Sequence, residues 1–197
     1  MLDQQAGQGR PLLEVLTAAA EAGVRLFQYR DKTASASEAY RRALGLRRAA
    51  AEAGALFFVN DRCDLALAVD ADGVHLGQDD MPLALARTIL GPEKIVGLST
   101  HCEADVIQAM AGGADYIGFG PIFQTGSKRD HEPVVGIDGL KRIRRLTQLP
   151  VFAIGGITAD RIAPVLAAGA DGVAVISAII GAPDVGSAVR SCISRLP

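Results

Sequence analysis

One pattern of punctuation recurs along the chain and constrains its fold more than any single motif. Ala71-Asp-Gly-Val74, Gly113-Ala-Asp-Tyr116 and Gly169-Ala-Asp-Gly172 each follow an alanine-rich stretch compatible with a helix, and each precedes or opens a short apolar run. Ala22-Gly23-Val24 and Gly54-Ala55-Leu56 are weaker copies. Glycine just past a helix takes up the left-handed cap, because it has no Cβ to clash. A short apolar run after such a cap reads as a buried strand. Seven strands are predicted in this way, near residues 24–29, 56–60, 73–76, 95–98, 116–120, 151–154 and 173–176. The stretches between them have the length of a helix, which is the spacing of repeated β-α units.

Such units either close into a barrel or stay open as a doubly wound sheet. An open nucleotide-binding sheet would carry GxGxxG after its first strand, and this chain has none. The expectation is therefore an α/β fold, a (β/α)8 TIM barrel that lacks or alters its first strand, since the first legible element is a helix over residues 11–22. Helix starts are legible too. Ser35-Ala-Ser-Glu38 fits a capping box, and Asp80 with Pro82 fits an N-cap followed by proline in the first turn. With 197 residues, 49% of them hydrophobic, the chain can build one full core and not two, so a single domain over 1–197 is expected.

A formal net charge of −2 supplies no global basic field for nucleic acid or a membrane surface. The start, MLDQQAGQGRP, has no apolar signal-peptide core, and no later run reaches the ~18 uninterrupted apolar residues of a membrane span. A cytoplasmic location follows as the default. Cys63, Cys102 and Cys192 are widely spaced and make no zinc pattern, so they read as free thiols.

The two ends of the predicted strands differ. Their starts are bland, whereas their ends are polar and varied: Gln28-Tyr-Arg-Asp-Lys32, Asn60-Asp-Arg62, Gln78-Asp-Asp80, Ser99-Thr-His101, Thr125-Gly-Ser-Lys128, Gly155-Gly156 and Ser177. A parallel barrel gathers these ends around one mouth, where the fold places its active site. Arg30, Lys32 and Lys128 suit phosphate oxygens. Gln28, Arg30 and Lys32 alternate, so they point to one side. Asp61 and Asp80 end consecutive strands and could share a Mg²⁺ ion, with Asp79 as the alternative to Asp80. Gly155-Gly156 and the Ser177 turn suit a phosphate held by backbone N–H groups. His75 reads as a satisfied core histidine, His101 as a residue at a helix start, and Arg41-Arg42, Arg47-Arg48 and residues 141–145 as exposed helix faces. No Ser/His/Asp or Cys/His nucleophile arrangement is suggested.

Together, Gln28-Tyr-Arg-Asp-Lys32, Val59-Asn-Asp-Arg62, Gly73-Val-His-Leu-Gly-Gln-Asp-Asp80, Gly118-Phe-Gly-Pro-Ile-Phe-Gln-Thr125, Ala153-Ile-Gly-Gly-Ile157 and Val175-Ile-Ser-Ala-Ile179 resemble the thiamine phosphate synthase family, in its order, from about Pro11 onward. The resemblance implies a compact barrel that joins a hydroxymethylpyrimidine diphosphate to a thiazole phosphate and releases diphosphate with the help of Mg²⁺. It implies that Gln28, Arg30, Lys32, Asn60 and Lys128 hold the pyrimidine substrate and its diphosphate, and that Asp61 and Asp80 bind the metal. Ser99 would touch the pyrimidine, and Thr125, Gly126, Ser127, Gly156, Ile176 and Ser177 would hold the thiazole phosphate. Its partners would be these small molecules, and a homo-oligomer is compatible with it. Related thiazole tautomerases carry a histidine where this chain has Pro121 and lack the full aspartate set, so they are the second enzyme reading. A non-catalytic phosphate-binding barrel is the third.

Overall fold

The computed structural model describes residues 1–7, 9–126 and 132–196. Eight parallel strands hydrogen-bond in sequence order and curl into a barrel: β1 (Leu2–Asp3), β2 (Leu26–Arg30), β3 (Leu56–Asn60), β4 (Gly73–Leu76), β5 (Ile95–Thr100), β6 (Tyr116–Phe119), β7 (Val151–Ile154) and β8 (Gly172–Ala174). Helices α1 (Leu12–Glu21), α2 (Ala36–Glu52), α3 (Cys63–Ala68), α4 (Leu83–Leu90), α5 (Glu103–Gly112), α6 (Gly136–Arg144), α7 (Ala159–Ala167), α8 (Ser177–Ile180) and α9 (Val185–Ile193) form the outer layer.

The first strand is shortened rather than absent, which corrects the count of seven. Leu2 and Asp3 pair with Tyr29 and Arg30 of β2, and the Met1 nitrogen donates to the Val175 carbonyl just past β8 at 2.9 Å. A two-residue strand carries no periodicity, so only tertiary pairing reveals it.

Alternation along each strand sorts the two layers. Phe27, Tyr29, Phe57, Val59, Val74, Leu76, Val96 and Ile117 are buried within the main hydrophobic core, against the helices. Residues of opposite parity, including Gln28, Phe58, His75, Gly97, Ser99 and Tyr116, fill the barrel. Gly97 makes room there: a Cβ on it would lie 2.1 Å from Tyr116 Cζ. Tyr116 lies against Phe58, His75 and Phe152, with ring centroids 5.4–5.7 Å away.

The recurring aspartate turns out to be structural. Asp72, Asp115 and Asp171 each accept from the backbone N–H of a residue in the preceding strand, Phe57, Val96 and Val151, at 2.7–2.8 Å. Each returns its own N–H to that residue's carbonyl at 2.9 Å. Each is also paired with an arginine of the helix that leads into the earlier of the two strands: Arg47 of α2, Arg87 of α4 and Arg144 of α6. One carboxylate thus ties two neighbouring strands and a helix together at the strand starts. Arg47 and Arg144 are therefore anchors rather than free helix-face charges. Gly113, with φ of 77°, supplies the left-handed cap that leads into one of these ties.

Ser35 caps α2 as expected, accepting from Glu38 N at 3.3 Å. Asp80 does not cap α4: Pro82 takes that position, and the Asp80 carboxylate turns back to accept from Gly77 N at 2.7 Å. The three cysteines are free. No described helix is long and apolar enough to cross a membrane.

Candidate active site

The loop after β2 is built by Asp31. Its carboxylate accepts from Thr33 N, Ala34 N and Thr33 Oγ1 at 2.9–3.0 Å, from Arg42 at 2.8 Å and from Tyr29 OH at 3.1 Å. Burial would raise its pKa, but these bonds outweigh it and hold the carboxyl below the ordinary range. Tyr29 is accommodated in the outer core because its hydroxyl finds Asp31. With the turn fixed, Gln28, Arg30 and Lys32 leave on the inner side, and each finds a different environment.

Arg30 is paired with Asp3 at 2.5 Å, with side chains 12% and 1% exposed. Asp3 was not singled out from the sequence. Its other oxygen accepts from Gln5 N and Ala6 N at 2.9 and 2.8 Å, so it also shapes the loop after β1. Lys32 is half exposed and reaches across to Asp61 Oδ2 at 2.9 Å. Asp61 is not paired with Arg62, which instead takes Asp64. Asp61 sits in the left-handed region at φ of 64°, with its N–H held by the His75 carbonyl at 2.8 Å. That strain is one that aspartate tolerates better than most side chains. The turn brings its carboxyl within hydrogen-bonding reach of Asp80, whose pKa is raised by burial and by this like-charged neighbour. Asp79 is exposed. Two facing carboxylates beside a lysine make a hard oxygen donor pair of the kind that suits Mg²⁺. Among the described residues no group of three or more His, Cys, Asp or Glu could hold a metal. A cation here would therefore rest on two carboxylates, with water and phosphate completing its shell.

Asn60 and Ser99 line a cavity of about 460 Å³, together with Gln28, His75, His101 and Tyr116. The cavity continues past the short β8 to the apolar faces of α1 and α9, at Val15, Ala19 and Val189. Gln28 is 7% exposed, and its Oε1 has no hydrogen-bond partner among the described residues. His75 is satisfied, as expected of a core histidine, but its partners matter: Nδ1 meets Tyr116 OH at 3.0 Å and Nε2 meets Ser99 Oγ at 2.9 Å. Gln78 fixes the same strand end by donating to the Ser99 carbonyl at 2.5 Å. His101 lies before α5, and its Nδ1 donates to the Gly120 carbonyl at 2.6 Å.

On the far side, Gly155 and Gly156 have φ of 98° and 61°. The loop after β6 lies directly on them: a Cβ on Gly156 would be 2.4 Å from the Gln124 carbonyl, and Phe123 N donates to Gly155 O at 3.0 Å. This brings the segment of Thr125 and Gly126 beside Gly156. Arg161, unremarked in the sequence, holds the turn by donating to Gly156 O at 2.7 Å while stacking 4.6 Å from the Phe123 ring centroid. Ile176 and Ser177 stand at the start of α8, past β8. Ser127 and Lys128 lie outside the described residues.

A family model described as thiamine monophosphate synthase matches residues 1–179. The thiamine-phosphate synthase of Moorella thermoacetica is 50% identical over 184 residues, 93% of this chain and 88% of the relative. That of Chloroflexus aurantiacus is 48% identical over 188 residues, 95% and 87% of the two chains. The solved thiamine phosphate pyrophosphorylase from Pyrococcus furiosus superposes with a TM-score of 0.88 at 42% identity, covering 95% of this chain and 90% of that one. The chain belongs to the thiamine monophosphate synthase family.

Proposed function

We propose that this chain, acting as a single domain in the cytosol, condenses aminohydroxymethylpyrimidine diphosphate with hydroxyethylthiazole phosphate, giving thiamine phosphate and diphosphate. The observation that carries this reading is the meeting of Lys32, Asp61 and Asp80 at the ends of three successive strands, beside the cavity that Gln28, Asn60 and Ser99 line.

Asp61 and Asp80 would hold Mg²⁺, which supplies charge neutralisation for the departing diphosphate. The donor set fits: the Asp80 carboxyl resists ionisation next to Asp61, and a divalent cation relieves that repulsion. Arg30 and Lys32, with Lys128, bind the diphosphate and stabilise the charge that develops as the C–O bond breaks. Asp3 keeps the Arg30 guanidinium in one orientation. Gln28, Asn60 and Ser99 orient the pyrimidine, whose methylene carbon becomes cationic on loss of diphosphate. Thr125, Gly126, Ser127, Gly156, Ile176 and Ser177 position the thiazole phosphate so that the ring nitrogen faces that carbon. Neither step requires a side chain to remove a proton from the attacking nitrogen, which has its own lone pair. Positioning and charge are the protein's contribution.

The test is product formation. Purified protein is mixed with both substrates and Mg²⁺, with EDTA as control, and thiamine phosphate is followed over time. Metal-dependent product is expected. Its absence from a folded sample would overturn the reading.

A further inference from the structure

The hydrogen-bonded run Tyr116–His75–Ser99 has a direction. The Tyr116 hydroxyl is not taken up by Gln28 Oε1, which has no hydrogen-bond partner among the described residues. Tyr116 is buried, and its own proton then needs an acceptor; His75 Nδ1, 3.0 Å away, is in place to take it. A neutral imidazole accepting at Nδ1 carries its hydrogen on Nε2, and that hydrogen meets Ser99 Oγ at 2.9 Å. Because Ser99 Oγ is occupied as an acceptor by His75, its hydroxyl hydrogen is left to point elsewhere, and Ser99 lines the cavity.

We propose that His75 is a positioning residue for the pyrimidine: it sets Ser99 as a hydrogen-bond donor, while Oε1 of Gln28, which lines the same cavity, remains an acceptor. An aminopyrimidine edge presents the complement, an exocyclic N–H donor next to a ring-nitrogen acceptor. The network therefore selects the amino form over a pyrimidine that bears hydrogen or a carbonyl at that position. Tyr116 is the hub that fixes the tautomer, and the missing side chain at Gly97 is what lets its ring sit there. This inference rests on the synthase reading above.

The test compares His75→Phe, His75→Gln and Tyr116→Phe with the parent, using the aminopyrimidine diphosphate and its deamino analogue. His75→Phe is expected to raise KM for the aminopyrimidine substrate about tenfold, the equivalent of one oriented hydrogen bond. KM for the thiazole phosphate should stay unchanged, and the preference for the amino form over the deamino analogue should collapse. His75→Gln, whose amide can still donate to Ser99, should recover much of that preference. In a Ser99→Ala background, His75→Phe should add little. An additive effect, or an unchanged preference in His75→Phe, overturns the proposal. If His75→Phe does not fold, Tyr116→Phe decides: it keeps the ring but frees the tautomer, and a preference equal to the parent's overturns the proposal. A parent that makes no product would instead sink the synthase reading, so the two failures are distinguishable.

Discussion

Replacing Asp3 by asparagine tests whether the shortened first strand contributes more than a hydrogen-bonded edge. Asparagine keeps the shape and can still accept from Gln5 N and Ala6 N. What changes is the oxygen 2.5 Å from Arg30, which becomes an N–H₂ group facing the guanidinium, or a neutral carbonyl if the amide flips and gives up the loop bonds. Either way Arg30, 12% exposed, loses its countercharge. Breaking a buried pair from one side costs about 3–5 kcal/mol, because the remaining charge is left desolvated. Residual exposure of Arg30 and loop relaxation favour the lower end, about 3 kcal/mol. At roughly 2–4 °C per kcal/mol for a chain of this size, Tm should fall by roughly 6–12 °C. The assay is a circular-dichroism melt of parent and variant in the same buffer. Asp3→Leu with Arg30→Met removes both charges and should melt well above Asp3→Asn, since no unpaired ion remains. It should nonetheless lose activity with Arg30. A melt of Asp3→Asn indistinguishable from the parent's would refute the reasoning and mean that Arg30 finds water or another partner.

Lys32→Ala should raise KM for the pyrimidine diphosphate more than for the thiazole phosphate; equal changes in steady-state titrations of the two substrates would remove Lys32 from the diphosphate site. The raised pKa of Asp80 gives a pH dependence with a definite sign: the native state binds this proton more tightly than the unfolded chain, so the carboxyl's contribution to stability is present at low pH and is lost as pH rises through the folded value, above 3.8. Mg²⁺ competes with that proton, so its apparent affinity, measured by calorimetry, should weaken as pH falls through the same window; a flat profile would count against Asp80 as a ligand. Asp115→Ala removes the bonds to Val96 N and Arg87 at the strand starts and should lower stability by about 1–2 kcal/mol in a urea titration, with kcat unchanged. A large loss of kcat in a folded sample would mean that this tie also shapes the mouth.

The barrel was legible because its units repeat. Caps, apolar runs and helix lengths recur often enough for seven strands to be read, and the eighth escaped because two residues have no period. The mouth was legible for a related reason: a polar residue ending an apolar strand stands out, so Gln28, Arg30, Asn60, Asp61 and Ser99 could all be named as candidates. What could not be read was pairing across distance. Nothing local joins Asp3 to Arg30, 27 residues apart, or His75 to Tyr116, 41 residues apart. Nor do sequence neighbours have to pair: Arg62 stands next to Asp61 but binds Asp64, while Lys32 crosses from the preceding loop. Asp80 fitted a helix cap by pattern, but its carboxylate is drawn back to Gly77 and towards Asp61.

The strand starts looked bland although three of them carry an aspartate, and the reason separates structure from function in this fold. Asp72, Asp115 and Asp171 occupy the same point of alternate units, before β4, β6 and β8, and make the same bonds, to a strand N–H and to an arginine of the helix before that strand. A polar group that recurs with every second unit serves the repeat, because each of those strands has to be held to the one before. At the mouth nothing recurs: Lys32 follows one strand, Asp61 the next, and Asp80 comes after the third, and they are brought to one point rather than to equivalent points. A barrel closes by repetition but acts on a substrate that has no such symmetry. The chemistry must therefore come from residues that break the repeat, and the proposed site, where the two carboxylates and the lysine meet, is made of such residues.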